Sequence, residues 1–209
     1  MSKHVVVIDY GIGNLHSVIK ALQYFGAEVT VSPDPAVIKS ANKVVLPGVG
    51  AFADGMAGLV SRGLDDALRQ YVLTERPLLG ICLGMQLLMS RSEEFGLHEG
   101  FGFIQGDVVA IPKAPSRKVP QVGWNELRVP NGRTWKNTVL EHTDEHTMMY
   151  FVHSFTAIPT HEVDRLADVD YDGVRVSAAV QRNNITGLQF HPEKSGPKGL
   201  VVVETFLKV

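Results

Sequence analysis

The chain has one cysteine, Cys82, and it stands in Gly80-Ile81-Cys82-Leu83-Gly84, between an apolar run and a helical pattern. Small residues two positions to either side of a nucleophile, after a strand and before a helix, form the pattern of a nucleophile elbow. Glycine suits both places because the turn brings neighbouring backbone too close for a Cβ. At the start of a helix, unpaired N–H groups favour a thiolate. The N–H of Leu83 would point toward an oxyanion forming beside Cys82. The plainer reading is a buried, inert thiol, the condition of most solitary cysteines.

A thiol nucleophile needs a base, and the sequence holds eight histidines. His191 is the useful one, in "LQFHPEKSG". Pro192 favours an extended backbone, where residues i and i+2 share a face, so His191 and Glu193 are expected to point the same way. The carboxylate would fix the imidazole tautomer and stabilise its charged form. A solvated loop with a surface ion pair to Lys194 is the bland alternative. With an elbow cysteine elsewhere, the segment supports a triad of Cys82, His191 and Glu193. "LPGVG", residues 46–50, adds a glycine-rich turn able to present backbone N–H groups to an oxyanion, and Gly48 and Val49 are assigned to it. A plain tight turn is the competing reading there.

The elements that must position these residues follow from the pattern. "HVVVID" is a continuous β-branched run, as for a strand buried on both faces. Leu15, Val18, Leu22 and Phe25 recur at helical spacing, and Gly26 ends that helix. "AEVTVS", "NKVVLPGVG" and "RPLLGI" read as three further strands, with a helix over residues 64–72 before the last. Pro33 and Pro35 punctuate the second strand. Strands alternating with helices mean parallel pairing, and ligands then collect at the carboxyl ends of the strands. "DYGIGN", "LPGVGAF" and "GICLGMQ" all leave strands at that edge. The second half offers shorter segments broken by Gly, Pro and Asn, the mark of antiparallel pairing: "GFGFIQGDVVAIP", "KVPQVGWNELRVP", "MMYFVHSFTAIP", "VRVSAAVQRNN" and "ITGLQFHPE". "GLVVVETFLKV" is expected to close the chain as a helix, and residues 112–120 to form an exposed loop. The fold class is therefore α/β: a three-layer open, mostly parallel sheet, with an added antiparallel portion in the second half, all in one domain over residues 1–209.

Bulk properties agree with a globular protein: 209 residues, 44% hydrophobic, 20% charged, net charge −2. Nothing in that charge attracts nucleic acid or an anionic membrane. The N-terminal apolar run is too short for a signal peptide core or a membrane span. One cysteine rules out an internal disulfide and a zinc site of several thiolates; no metal and no cofactor are expected, and the setting reads as cytoplasmic. A nucleotide-binding module is a different class of reading, but in "DYGIGN" His16 takes the place of the third glycine and no Walker lysine follows.

Taken together, "GICLGMQ" and "QFHPE" resemble the class I, triad-type glutamine amidotransferases. "DYGIGNLHSV", "LPGVGAF", "RSEE", "PQVGWNEL", "YFVHSF" and "GLQFHPEKSG" are similar to the family of glutaminase subunits that serve imidazole glycerol phosphate synthases in histidine biosynthesis. The resemblance spans Asp9 to Gly196 and implies a flavodoxin-like sheet. It implies that Cys82 attacks the side-chain amide of L-glutamine, with His191 as base and then acid and Glu193 orienting it, through a γ-glutamyl thioester. It further implies oxyanion N–H groups from Val49 and Leu83, and substrate contacts from Gly48, Gly50, Gln86, Ser154 and Phe155. The implied partner is a (β/α)8 barrel, joined as a heterodimer, that receives the ammonia and makes imidazole glycerol phosphate and an aminoimidazole carboxamide ribonucleotide. Asn14, Trp124, Tyr150 and Lys194 would face that barrel and shape the ammonia exit. Gln121-Val122 departs from the His-Met or His-Ile common in this family. A paralogue feeding another barrel, as in surface-sugar amidination, a free-standing γ-glutamyl hydrolase and a subunit with a vestigial triad stay open as alternatives.

Overall fold

The continuous β-branched runs of the first half form the middle of a seven-stranded sheet in the computed structural model, which describes residues 4–13 and 15–209. The first half contributes β1 (His4–Ile8), α1 (Leu15–Tyr24), β2 (Glu28–Ser32), α2 (Pro35–Ser40), β3 (Val44–Gly48), α3 (Phe52–Val60), α4 (Leu64–Val72), β4 (Leu78–Cys82) and α5 (Leu83–Leu87). There follow β5 (Met89–Ser92), β6 (His98–Glu99), β7 (Ile104–Ala110), β8 (Gln121–Glu126), β9 (Met148–His153) and β10 (Phe155–Pro159). The chain ends with β11 (Arg165–Tyr171), β12 (Val174–Arg182), β13 (Ile185–Leu188) and α6 (Gly196–Lys208).

The large sheet runs β11-β12-β13-β4-β3-β1-β2. From β2 to β13 every pairing is parallel; β12 and β11 extend it antiparallel. Alternation along β1 makes three layers. Val5 and Val7 face the core that holds Val18 and Leu22 of α1 and Phe206 of α6, while Val6 and Ile8 face Ile38 of α2, Leu59 of α3 and Leu68 of α4. A four-stranded sheet, β10-β7-β5-β6, and a two-stranded ribbon, β8-β9, complete the second half.

Two helices escape the sequence reading. Pro35, read as punctuation, is the first residue of α2, where its missing N–H costs nothing, and Asp34 caps it by accepting from Ala36 N at 2.8 Å. α3 carries Gly55 and Gly58, poor helix formers, yet buries Phe52 and Leu59. The expected single segment over residues 148–159 is in fact two strands in two sheets, broken at Ser154. Nor is the second half wholly antiparallel: β5 pairs parallel with β7. The closing helix is present as α6, and residues 112–120 hold no helix or strand. No helix among the described residues is long and apolar enough to cross a membrane.

Candidate active site

Three strands set the site. β3, β4 and β13 are parallel neighbours, and Gly48 is the register partner of Cys82. The loops leaving their carboxyl ends therefore emerge side by side. Cys82 turns the chain from β4 into α5 at φ 55°, ψ −110°, a left-handed conformation rare for a side-chain-bearing residue. The flanking glycines make that turn possible. A Cβ on Gly84 would stand 1.8 Å from the Leu46 carbonyl oxygen, and one on Gly80 would stand 2.7 Å from the backbone of Gly84.

His191 follows β13. Its Nδ1 is 2.7 Å from Glu193 Oε1, with both side chains buried. The backbone is not extended as the sequence suggested: Pro192–Lys194 is one turn of 3-10 helix, closed by Lys194 N donating to the His191 carbonyl at 3.0 Å. Pro192 has the φ that such a turn needs and no N–H to lose. The turn, rather than strand alternation, brings the carboxylate under the ring. His191 Nε2 is buried without a hydrogen-bond partner of normal geometry. Burial would lower the pKa of His191, but the neighbouring Cys82 sulfur and Glu193 outweigh it and raise the pKa to about 9. The imidazolium is the form this environment holds.

A cavity of about 320 Å³ opens beside the thiol, lined by Val49, Gly50, Cys82, Leu83, Gln86, Glu94, Pro120, Val152, His153, Ser154 and Phe155. Of the residues expected to touch substrate, Gly50, Gln86, Ser154 and Phe155 lie on this lining and Gly48 does not. Gly48 packs behind, where a Cβ would meet the Tyr10 hydroxyl at 2.3 Å. Tyr10 donates to the Pro47 carbonyl at 2.9 Å; burial first, then Cys82, raise its pKa, so the phenol stays a donor. Trp124 is about half exposed (49%) and meets Tyr150 edge-on at 5.9 Å, Lys194 is exposed, and Asn14 lies outside the described residues.

Glu94, Val152, His153 and Gln189 were not singled out. Glu94 accepts from Phe52 N at 2.7 Å, and its only signal was its place in "RSEE". His153 Nδ1 is 2.7 Å from the Phe155 carbonyl, and burial lowers its pKa to about 4, against that hydrogen bond and aided by His191. Gln189, two residues before His191, is wholly buried with its Nε2 3.8 Å from Cys82 Sγ. A larger cleft of about 540 Å³ lies elsewhere, among Arg128, Asp168, Asp170 and Arg175, whose charges pair with one another. Among the described residues no group of three or more His, Cys, Asp or Glu side chains could hold a metal ion.

Residues 6–209 match the family described as Glutamine amidotransferase class-I. The chain is 47% identical over 210 residues to "Imidazole glycerol phosphate synthase subunit HisH 1" of Legionella pneumophila (strain Lens), covering 98% of this chain and 99% of that one. It is 42% identical over 207 residues to "Imidazole glycerol phosphate synthase subunit HisH" of Sulfurimonas denitrificans, covering 98% and 97%. Among solved structures, PurLQS from Thermotoga maritima superposes with a TM-score of 0.74 over 100% of this chain and 99% of that one, at 20% identity, a likeness of fold.

Proposed function

We propose the following chemistry for this chain, which belongs to the class-I glutamine amidotransferases: it hydrolyses the side-chain amide of L-glutamine and delivers the ammonia to a synthase that makes imidazole glycerol phosphate. One observation carries the reading. Cys82 and His191 leave adjacent parallel strands beside a cavity with room for an amino acid, with Glu193 bonded to the imidazole.

The Cys82 thiolate attacks the amide carbon, and the carbonyl oxygen takes up the negative charge, facing N–H groups of Leu83 and Val49. Imidazolium His191 gives its Nε2 proton to the amide nitrogen, the C–N bond breaks, and ammonia leaves a γ-glutamyl thioester. Neutral His191 then takes a proton from water as its oxygen attacks the thioester. The C–S bond breaks, leaving a thiolate, His191 charged again and a γ-carboxylic acid that gives its proton to water to become glutamate. Glu193 stays ionised throughout and holds the Nδ1 proton in place.

Among the described residues Glu94 is the one carboxylate on the cavity lining, and it receives the α-ammonium group of the substrate. Gly50, Gln86, Ser154 and Phe155 border the rest, and Gly48 supports the oxyanion loop from behind. Residues 1–209 work as a single glutaminase domain, in the cytoplasm, where an unpaired thiol stays reduced. The partner is a (β/α)8 barrel that docks on the outer face of β8-β9, near Trp124, Tyr150 and Lys194. Val122, Met148 and Val152 are also exposed on this ribbon, an apolar face suited to docking. Ammonia moved inside such a complex stays neutral and nucleophilic, whereas ammonia released to water is mostly protonated.

Cys82→Ala is expected to abolish synthesis from glutamine in the reconstituted complex while leaving synthesis from added ammonium salts intact. Loss of both activities from a folded complex would refute this division of labour.

A further inference from the structure

Behind the thiol lies a buried chain of hydrogen bonds. Gln189 Nε2 donates to Cys82 Sγ across 3.8 Å, and Gln86 Nε2 donates to Gln189 Oε1 at 3.0 Å and to the Phe155 carbonyl at 3.3 Å. His153 Nδ1 meets the same carbonyl at 2.7 Å, so both lone pairs of that oxygen are engaged.

The direction of this chain is fixed by chemistry. A carbonyl oxygen only accepts, so the end of Gln86 that meets Phe155 must be its NH₂. That NH₂ also meets Gln189, which must present its oxygen there. The opposite end of Gln189, turned to Cys82, is then an NH₂. An amide N–H aimed at sulfur favours the thiolate, because a donor bonds more strongly to a charged acceptor. Besides His191, the sulfur also faces the Val152 carbonyl at 4.0 Å, which can only accept and so favours the protonated thiol.

We propose that Gln189 is a catalytic hydrogen-bond donor to the attacking sulfur, and that Gln86 is the positioning residue that holds its amide in that orientation. This rests on the reading of Cys82 as the nucleophile. The donor acts twice in the cycle: it supports the thiolate before attack, and supports it again as the leaving group when water breaks the thioester. Gln86 thereby acquires a duty separate from its place on the cavity lining.

The test is the pH dependence of iodoacetamide alkylation of Cys82, the only thiol in the full chain. Gln189→Glu keeps an oxygen for Gln86 and replaces the NH₂ facing the sulfur. Its alkylation midpoint is expected to rise by about one pH unit. Gln86→Met releases Gln189 and should move the midpoint the same way by less, with kcat for glutamine falling beyond any rise in KM that its place on the cavity lining brings. Should Gln189→Glu fail to fold, Gln189→Met serves in its place. Unchanged midpoints in variants that still unfold cooperatively would overturn the proposal, and a Gln86→Met effect on KM alone would overturn the positioning role. A diazoketone analogue of glutamine, applied to the wild-type chain, separates the two readings. Stoichiometric labelling of Cys82 with unshifted midpoints sinks only the donor role; no labelling at all sinks the nucleophile itself.

Discussion

The two walls of the cavity are built to different tolerances. On the elbow side the backbone of Gly84 lies against the Leu46 carbonyl and Gly80 against Gly84, with no room for one more carbon atom. On the ribbon side Gly123 faces open space, and Val122, Trp124, Met148 and Val152 are exposed. The first wall is clamped between parallel neighbours, whereas the second is a two-stranded ribbon. The contrast teaches a division: the thiol of Cys82 sits where the backbone cannot yield, and the apolar surface sits where it can. The ribbon is nonetheless tied to the histidine loop, since the Tyr150 carbonyl accepts from His191 N at 2.9 Å and the Tyr150 N–H donates to the Ser195 hydroxyl oxygen at 2.9 Å.

The comparison can be broken at several points. Glu193→Gln should lower the glutaminase rate on the order of 10²-fold, measured as glutamate release by the complex. It should also move the alkaline limb of the pH profile to lower pH. The sign follows from the wild-type pKa of about 9 against 6.5 for a free imidazole. The stability contributed by charged His191 is complete below pH 6.5 and is lost as pH climbs through about 9, a window that narrows when the carboxylate is removed. A pH series of urea unfolding checks it. Gly84→Ala should cost about 3 kcal/mol of stability, because a backbone oxygen, not a flexible side chain, occupies the space. Trp124→Ala should weaken partner binding about 30-fold in a calorimetric titration while leaving alkylation of Cys82 unchanged. Gly123→Ala, with φ 137° but no steric contact, should cost only about 1 kcal/mol by thermal melting. If Gly123→Ala proved as harmful as Gly84→Ala, the two walls would not differ in kind.

Legibility in the sequence divides along the same line. β1, β3 and β4 could be read because strands buried on both faces are continuous apolar runs, the edge strand β2 because its valines alternate with polar residues, and the elbow because its glycines are local necessities. β11 could not: it holds Arg165 and Asp168, which look like surface residues but are buried as a pair at 2.8 Å, with Ser177 of β12 joining them. The break at Ser154 was invisible because Phe151 and Val152 before it and Phe155 after it all suit a strand, and only the choice of sheet distinguishes the two segments. His191 and Glu193 were expected to meet and do meet, through a helical turn in place of an extended one. Gln189 and His153 escaped because a buried amide or imidazole is defined by partners distant in sequence: Gln86 lies 103 residues from Gln189.

The register of Gly48 with Cys82 has a geometric corollary. Their backbones are held at the interstrand spacing of a sheet, about 4.8 Å, so the distance from the thiol-bearing elbow to the turn after β3 is a constant of the architecture. Changes in loop length or surface composition leave that gauge untouched. Diversification of such a scaffold toward other recipients of ammonia would accordingly accumulate on the outer strands, while the elbow and the turn beside it keep one fixed ruler between them.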